Sequence, residues 1–331
     1  MISILLFFIA ASILLYVVLG GADYGAGILE LLPAGNNREK EREVINHAMG
    51  PVWEANHMWL ILVVVILFMG FPKVFLTVMV HLHIPVVALL VGIVARGTAF
   101  TFRHYDAIHA PKSQNVYSRI FSLSSLWSAF WIGVIVGSLM WGKIDPSATN
   151  FMAAYVDPWL GSVPFAMGIM TICVFGFLAA VYLVGETNDS ELKALFWRRG
   201  FGFNVGVVLS GGLVFLVSYI EQAEFIFRFV VNPVALAMVC LATILFFALW
   251  YFVRRNRSLW VRFIGAGQIA LILLGWYVVT APDALQTVNG PLSFYDAAAP
   301  EATLRQLTWA LCVGSVFIFP SLGFLLRVFK R

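Results

Sequence analysis

The chain has 331 residues, 61% of them hydrophobic and 11% charged, with a mean hydropathy of +0.90 and a formal net charge of +4. So little polar surface excludes a soluble globule of this length. The modest positive charge fits basic rims that meet anionic lipid, not a nucleic-acid surface, and the three cysteines (Cys173, Cys240, Cys312) lie in apolar runs without the spacing of a disulfide framework or zinc site.

A transmembrane helix needs about 20 mostly apolar residues to cross roughly 30 Å of hydrocarbon. Nine segments meet that standard, approximately 2–32, 44–70, 74–104, 119–142, 160–185, 201–220, 232–253, 259–281 and 305–327. The fold expected is an all-α polytopic membrane protein forming a single transmembrane domain over residues 1–331. A β-barrel is excluded because the apolar runs are continuous and lack period-two alternation. The first segment has no basic leader, and its apolar run is long and continues through Asp23 and Glu30, so it is expected to be a retained helix and not a cleaved signal.

The first segment carries Gly20-Gly21-Ala22-Asp23-Tyr24-Gly25-Ala26-Gly27 in its second half. Asp23 lies ten residues before Pro33, about 15 Å at the helical rise. The second segment opens with Gly50-Pro51-Val52-Trp53-Glu54-Ala55-Asn56-His57-Met58-Trp59-Leu60. With that helix starting near Val44, Glu54 is also ten residues in, level with Asp23 on an antiparallel neighbour. The glycines are expected to bring the two helices, and so the two acids, together. An ionisable group at such depth is costly and marks a functional candidate, and a desolvated carboxyl exchanges protons closer to neutral pH. Asp23 and Glu54 are therefore candidate proton-path residues, each weighed against a purely structural role. His57, three residues beyond Glu54, shares its face and is either a relay or a structural histidine. His47 would lie on the same side if Pro51 did not kink the helix.

In the third segment His81 and His83, two apart, point to opposite sides and make a poor chelate pair. Further along, Arg96-Gly97-Thr98-Ala99-Phe100-Thr101-Phe102-Arg103 supplies Arg96, the natural counter-ion for Asp23 or Glu54, unless it snorkels to the rim. Glu186, at the end of the fifth segment, is expected at the water interface. Lys and Arg then set the orientation. Of the 21 basic residues, 17 fall on one side, leaving Lys73, Lys143, Arg228 and Arg305 for the other. By the positive-inside rule the N-terminus is outside and the C-terminus cytoplasmic.

Three motifs together resemble subunit II of the cytochrome bd-type quinol oxidases, including their cyanide-insensitive branch. They are Gly21-Ala22-Asp23-Tyr24-Gly25-Ala26-Gly27, Gly50-Pro51-Val52-Trp53-Glu54-Ala55-Asn56 followed by Trp59-Leu60, and Arg96-Gly97 with Phe100 and Phe102-Arg103. The motifs span about the first hundred residues, and the rest matches in helix number and topology.

The resemblance implies nine helices in two four-helix bundles plus one peripheral helix. It implies a partner, subunit I, that holds haems b and d (or b in place of d) and the quinol site. It further implies a complex that oxidises quinol and reduces dioxygen to water in the cytoplasmic membrane of a bacterium or archaeon, taking protons from the cytoplasm. No haem is expected in this chain, and a small third membrane subunit and a structural quinone or lipid are compatible with the pattern. In the family the acid at the position of Glu54 belongs to a proposed proton route. Asp23 and Arg96 match the acid of the first motif and the arginine of the third, and Trp53, Asn56, Trp59, Gly25, Gly27 and Arg103 are motif residues expected to be structural. Two departures stand out: Thr101 replaces an acid common in relatives, and His57 stands where Glu or Gln is frequent.

Two other classes remain open on the residues alone. Intramembrane acids beside glycine-broken helices also describe secondary transporters, against which stand the absence of detectable inverted repeats and the confinement of midplane acids to the first two segments. A haem-binding cytochrome would use His57 or His81, but no paired ligands occur at matching depth.

Overall fold

The computed structural model describes residues 1–50, 53–106, 111–255 and 257–329, with the side chains at 53, 54, 111, 258, 319, 322 and 325–329 outside the described set. The chain opens with α1 (Ile2–Leu15) and α2 (Gly21–Leu31), joined by a π-turn at Tyr16–Gly20 into one 30-residue span. Next come α3 (Arg38–Met49), α4 (Trp53–Gly70), α5 (Pro72–His81), α6 (His83–Tyr105) and α7 (Pro111–Trp141). The second half holds α8 (Phe151–Tyr155), α9 (Ser162–Leu183), α10 (Ser190–Ile220), α11 (Glu224–Val231), α12 (Pro233–Arg254) and α13 (Ser258–Thr280). A hairpin of β1 (Asp283–Thr287) and β2 (Gly290–Ser293) precedes α14 (Glu301–Phe329).

Among the described residues seven helices are long and apolar enough to cross a membrane: the α1–α2 span, α6, α7, α9, α10, α12 and α13. The bent pair α4 and α5 makes an eighth if taken as one span. The centre is α9, whose small and aromatic residues pack against α2, α7, α10 and α13. On the far side of the first span Leu5, Leu6 and Ile9 join Phe71, Leu285 and Ala297 in a separate apolar core beneath the hairpin. There α14 leans on α4 and α1.

Three expectations from sequence are corrected. The segment 44–70 is two helices, because Arg38–Met49 is too polar for hydrocarbon and forms the amphipathic α3. Glu54 lies at the start of the described part of α4, with residues 51 and 52 and its own side chain outside the described residues. The segment 74–104 is likewise divided. Pro72 disfavours helical backbone at Phe71 (φ −137°, ψ 60°), and α5 turns away from α4 by 115°. Pro85 then has no N–H to bond the carbonyl of His81, so the helix breaks at Leu82 and restarts as α6.

The third correction concerns the glycines. Gly25 and Gly27 do not face α4, which packs on the first half of the span, α1 and the π-turn. A Cβ on Gly25 would lie 1.9 Å from the Phe175 carbonyl oxygen on α9, and one on Gly27 would lie 2.2 Å from Ser125 Oγ on α7. Their role is to let α2 press against α7 and α9.

Because the obstacle at Gly25 is backbone, the neighbour cannot rotate away. Gly25→Ala should lower stability by about 3 kcal/mol, the upper end of overpacking penalties, whereas Gly202→Ala on α10, with nothing within 4 Å of its Cβ position, should be neutral. Thermal unfolding of the detergent-solubilised protein distinguishes the two.

Candidate functional site

Two acids, two arginines and two serines, each pair seven residues apart, form a column between three helices. Seven residues make nearly two turns, so members of a pair share a face about 10 Å apart. On α2 the pair is Asp23 and Glu30, on α6 Arg96 and Arg103, and on α7 Ser118 and Ser125. Asp23 meets Arg96 and Ser125, while Glu30 meets Arg103 and Ser118. This order requires α2 and α6 to run parallel with α7 antiparallel to both.

In the first layer Arg96 Nη2 lies 2.5 Å from Asp23 Oδ1 and donates to the Asp23 carbonyl oxygen at 3.3 Å. Its Nε donates to Ser125 Oγ at 3.1 Å, and Ser125 in turn donates to the Phe121 carbonyl. Asp23 and Arg96 are each 1% exposed. Asp23 Oδ2 meets no hydrogen-bond donor among the described residues. A buried carboxylate neutralised at one oxygen and open at the other can accept a proton from a group or water brought against it.

In the second layer Arg103 Nη1 donates to Glu30 Oε2 at 2.9 Å and Arg42 Nε to Glu30 Oε1 at 3.0 Å. Phe121 fills the space between layers, with the Arg96 and Arg103 guanidinium carbons 5.0 and 4.5 Å from its ring centre. Cation–π contacts of this kind gain strength when desolvated. Glu30 is bound at both oxygens by arginine, which ties α2 to α3 and α6; among the described residues Asp23 is paired through Oδ1 alone.

Beyond Asp23 the π-turn shapes the next group of polar residues. It brings the Tyr16 and Tyr24 hydroxyls to 3.0 Å. The Tyr24 ring lies under the Arg96 guanidinium at 4.8 Å and meets His57 edge to face at 5.8 Å. Asn56 Nδ2 donates to the Leu19 carbonyl inside the π-turn at 3.4 Å, so the first turns of α4 lie alongside residues 16–24. π-Turns are rare and recur at functional sites.

Outside this group a third buried pair joins Glu41 on α3 to Arg199 on α10. Arg199 Nη2 also donates to the carbonyls of Leu32 (3.2 Å) and Pro33 (3.0 Å), capping the end of α2. Burial pushes the Glu41 carboxyl above the usual carboxylate range, although Arg199 pulls it down.

The structure thus brings Asp23, Arg96 and His57 together, with Asn56 and buried Trp59 beside them and Gly25, Gly27 and Arg103 at helix contacts. The side chains of Trp53 and Glu54 lie outside the described residues. Arg96 is not a rim arginine. His81 and His83 take separate partners, the Ala154 and Val80 carbonyls. Glu186 pairs with Arg262 at 2.7 Å near the end of α9. Sequence reasoning missed Glu30 and Ser118/Ser125, though the matched spacings of 23/30 and 96/103 carry the signal. It also missed Glu41–Arg199, 158 residues apart, for which no local pattern exists. Among the described residues no three His, Cys, Asp or Glu side chains are grouped to hold a metal ion.

A family profile described as "Cytochrome bd terminal oxidase subunit II" matches residues 1–329. Cytochrome bd ubiquinol oxidase subunit 2 of Bacillus subtilis is 25% identical over 300 residues, covering 90% of this chain and 86% of the relative. Cytochrome bd-I ubiquinol oxidase subunit 2 of Escherichia coli K12 is 21% identical over 329 residues, with the same coverages. Among solved structures, a chain of the bd oxidase from Geobacillus thermodenitrificans superposes with a TM-score of 0.79 at 19% identity, covering 99% of this chain and 98% of that one.

Arg199→Met would leave Glu41 buried without its cation and raise its carboxyl further. A raised folded-state pKa gives stability that is present below the unfolded value and lost as pH climbs through the folded one. The variant should therefore fall furthest below the parent near about pH 8, by roughly 3–5 kcal/mol, and recover toward about pH 5. Melting temperatures of both proteins across that range check the sign.

Proposed function

Because the chain belongs to the cytochrome bd terminal oxidase subunit II family, we propose that it packs against the haem-bearing subunit I and supplies part of the path that carries cytoplasmic protons to the site of dioxygen reduction. The family is that of respiratory quinol oxidases, and this member is a multi-pass protein of a bacterial membrane. The haems, b and d or b alone, belong to subunit I, where they pass electrons from quinol to dioxygen. This chain's part is to hold and move protons.

The observation that carries the reading is Asp23, buried in the span, charge-paired through one oxygen and open at the other. Arg96 balances the Asp23 carboxylate; a proton taken up at Asp23 leaves the guanidinium charge uncompensated until that proton moves on, which favours its release. Glu54, one turn before His57 on α4, delivers that proton, and His57 with the tyrosine pair borders the exit. The bias of 17 of 21 basic residues to one side supports a cytoplasmic origin, with the N-terminus outside. Counting α4 with α5 and the 29-residue α14 as spans gives nine crossings.

In the assembled oxidase, Glu54→Gln and Asp23→Asn should each slow quinol-driven oxygen uptake by about ten-fold or more, with haem content unchanged. Normal turnover in both, at normal haem content, would remove the proton path from this chain.

A further inference from the structure

A cavity of about 600 Å³ opens between α3, the end of α6 and the start of α7. We propose that it is the cytoplasmic mouth through which protons enter this subunit, an inference that rests on the proton-path reading above.

Its walls have the chemistry of a hydrated inlet. Four proton-exchanging side chains stand around it: Glu39, Glu43 and His47 from α3, and His104 from α6. The fixed charges facing them are Arg42 from α3 and Arg103 from α6; α7 contributes uncharged Gln114, Asn115 and Ser118. Below the floor Glu30 offsets Arg42 and Arg103, leaving the whole near neutral. A field of that kind neither expels protons nor concentrates anions.

The floor also holds donors and an acceptor that no described protein group serves. Arg103 is 4% exposed, and its Nε and Nη2 have no hydrogen-bond partner; neither has Asn46 Oδ1. A single anion would satisfy the arginine edge but not the amide oxygen, whereas water satisfies both. The aromatic rings of Phe121 and Phe100 lie against the Arg103 guanidinium, 4.5 and 5.7 Å from its carbon. Asn46, in the last turn of α3, stands eight residues ahead of Glu54 in the chain.

Each step conserves protons. One that arrives from bulk water at a mouth carboxylate or imidazole leaves it for water in the cavity, and the group returns to its starting charge. Histidine and carboxylate together keep exchange open across the neutral range. With several exchanging groups in parallel, removing any one should matter little, and closing the space should matter greatly.

The test is a plug. Asn115→Cys, at the exposed edge of the cavity, is introduced into the assembled oxidase and labelled with a bulky membrane-impermeant maleimide, each sample compared with its own unlabelled protein. Ala194→Cys, exposed on α10, serves as the control. Labelling at 115 in inverted vesicles should slow oxygen uptake and proton consumption together by about ten-fold at constant haem content, while labelling at 194 should not. If complete labelling at 115 leaves turnover intact while Glu54→Gln stops it, the path stands and this mouth is wrong. If neither has any effect, the proton-path reading itself fails. Inhibition in right-side-out but not inverted vesicles would overturn the cytoplasmic placement.

Discussion

An acid and a base buried in hydrocarbon cannot be left apart, and the contact between Asp23 and Arg96 organises the first half of this protein. Either charge alone would cost several kilocalories per mole at that depth. Together they fix α2, α6 and α7 in one register, because each side chain can reach its partner only when Gly27 lets Ser125 approach and Phe121 fits between the layers. The second layer repeats the solution two turns away with Glu30 and Arg103, adding Arg42 from α3. The polar α3 is thereby held against the membrane-spanning helices, and the cavity beside it acquires its floor.

The two layers differ in what they can do. Glu30 is bound at both oxygens by cations, an arrangement that holds its side chain in place between α3 and α6. Asp23 is bound at one, beside a tyrosine pair and an imidazole. The same residue types thus make two differently held acids, separated by the number of partners each has among the described residues. Arg199 works in yet another way, closing the α2 carboxyl end and the buried Glu41 at once and so tying the second half of the chain to the turn after the first span.

Much of this was legible in the sequence, for reasons that differ by element. The spans near 160–185, 232–253 and 259–281 match α9, α12 and α13 closely, since a long apolar run has only one stable form in a bilayer. That Arg96 would pair with a buried acid, Asp23 or Glu54, followed from the cost of unpaired charge; the structure gives Asp23. The break at Phe71, signalled by Pro72, falls in the expected gap between the segments 44–70 and 74–104, whereas the one at Leu82, signalled by Pro85, was masked by apolar composition on both sides. The separation of α3 was hidden because its last residues run into the apolar segment without a marked change of hydropathy. The π-turn at Tyr16–Gly20 leaves no compositional trace; it shows only in which faces the two halves of the span bury. Glu41 and Arg199 meet solely because α3 folds back beneath α10.

The spacing of the charge pairs has a consequence for how the protein is made. Asp23 is 73 residues ahead of Arg96, and Glu30 is 73 ahead of Arg103. At about 5–20 residues per second of synthesis, Asp23 waits on the order of 4–15 s before it can find its cation, whereas Glu30 has Arg42 only 12 residues behind it. During that interval the long apolar stretch from Ile2 to Leu19 must hold the helix in the bilayer against the uncompensated Asp23 carboxyl, which opposes insertion by about 2.5–3.5 kcal/mol if charged. The first span has to be more hydrophobic than its place in the finished structure demands, because it enters the membrane before the residues that make its charges tolerable exist.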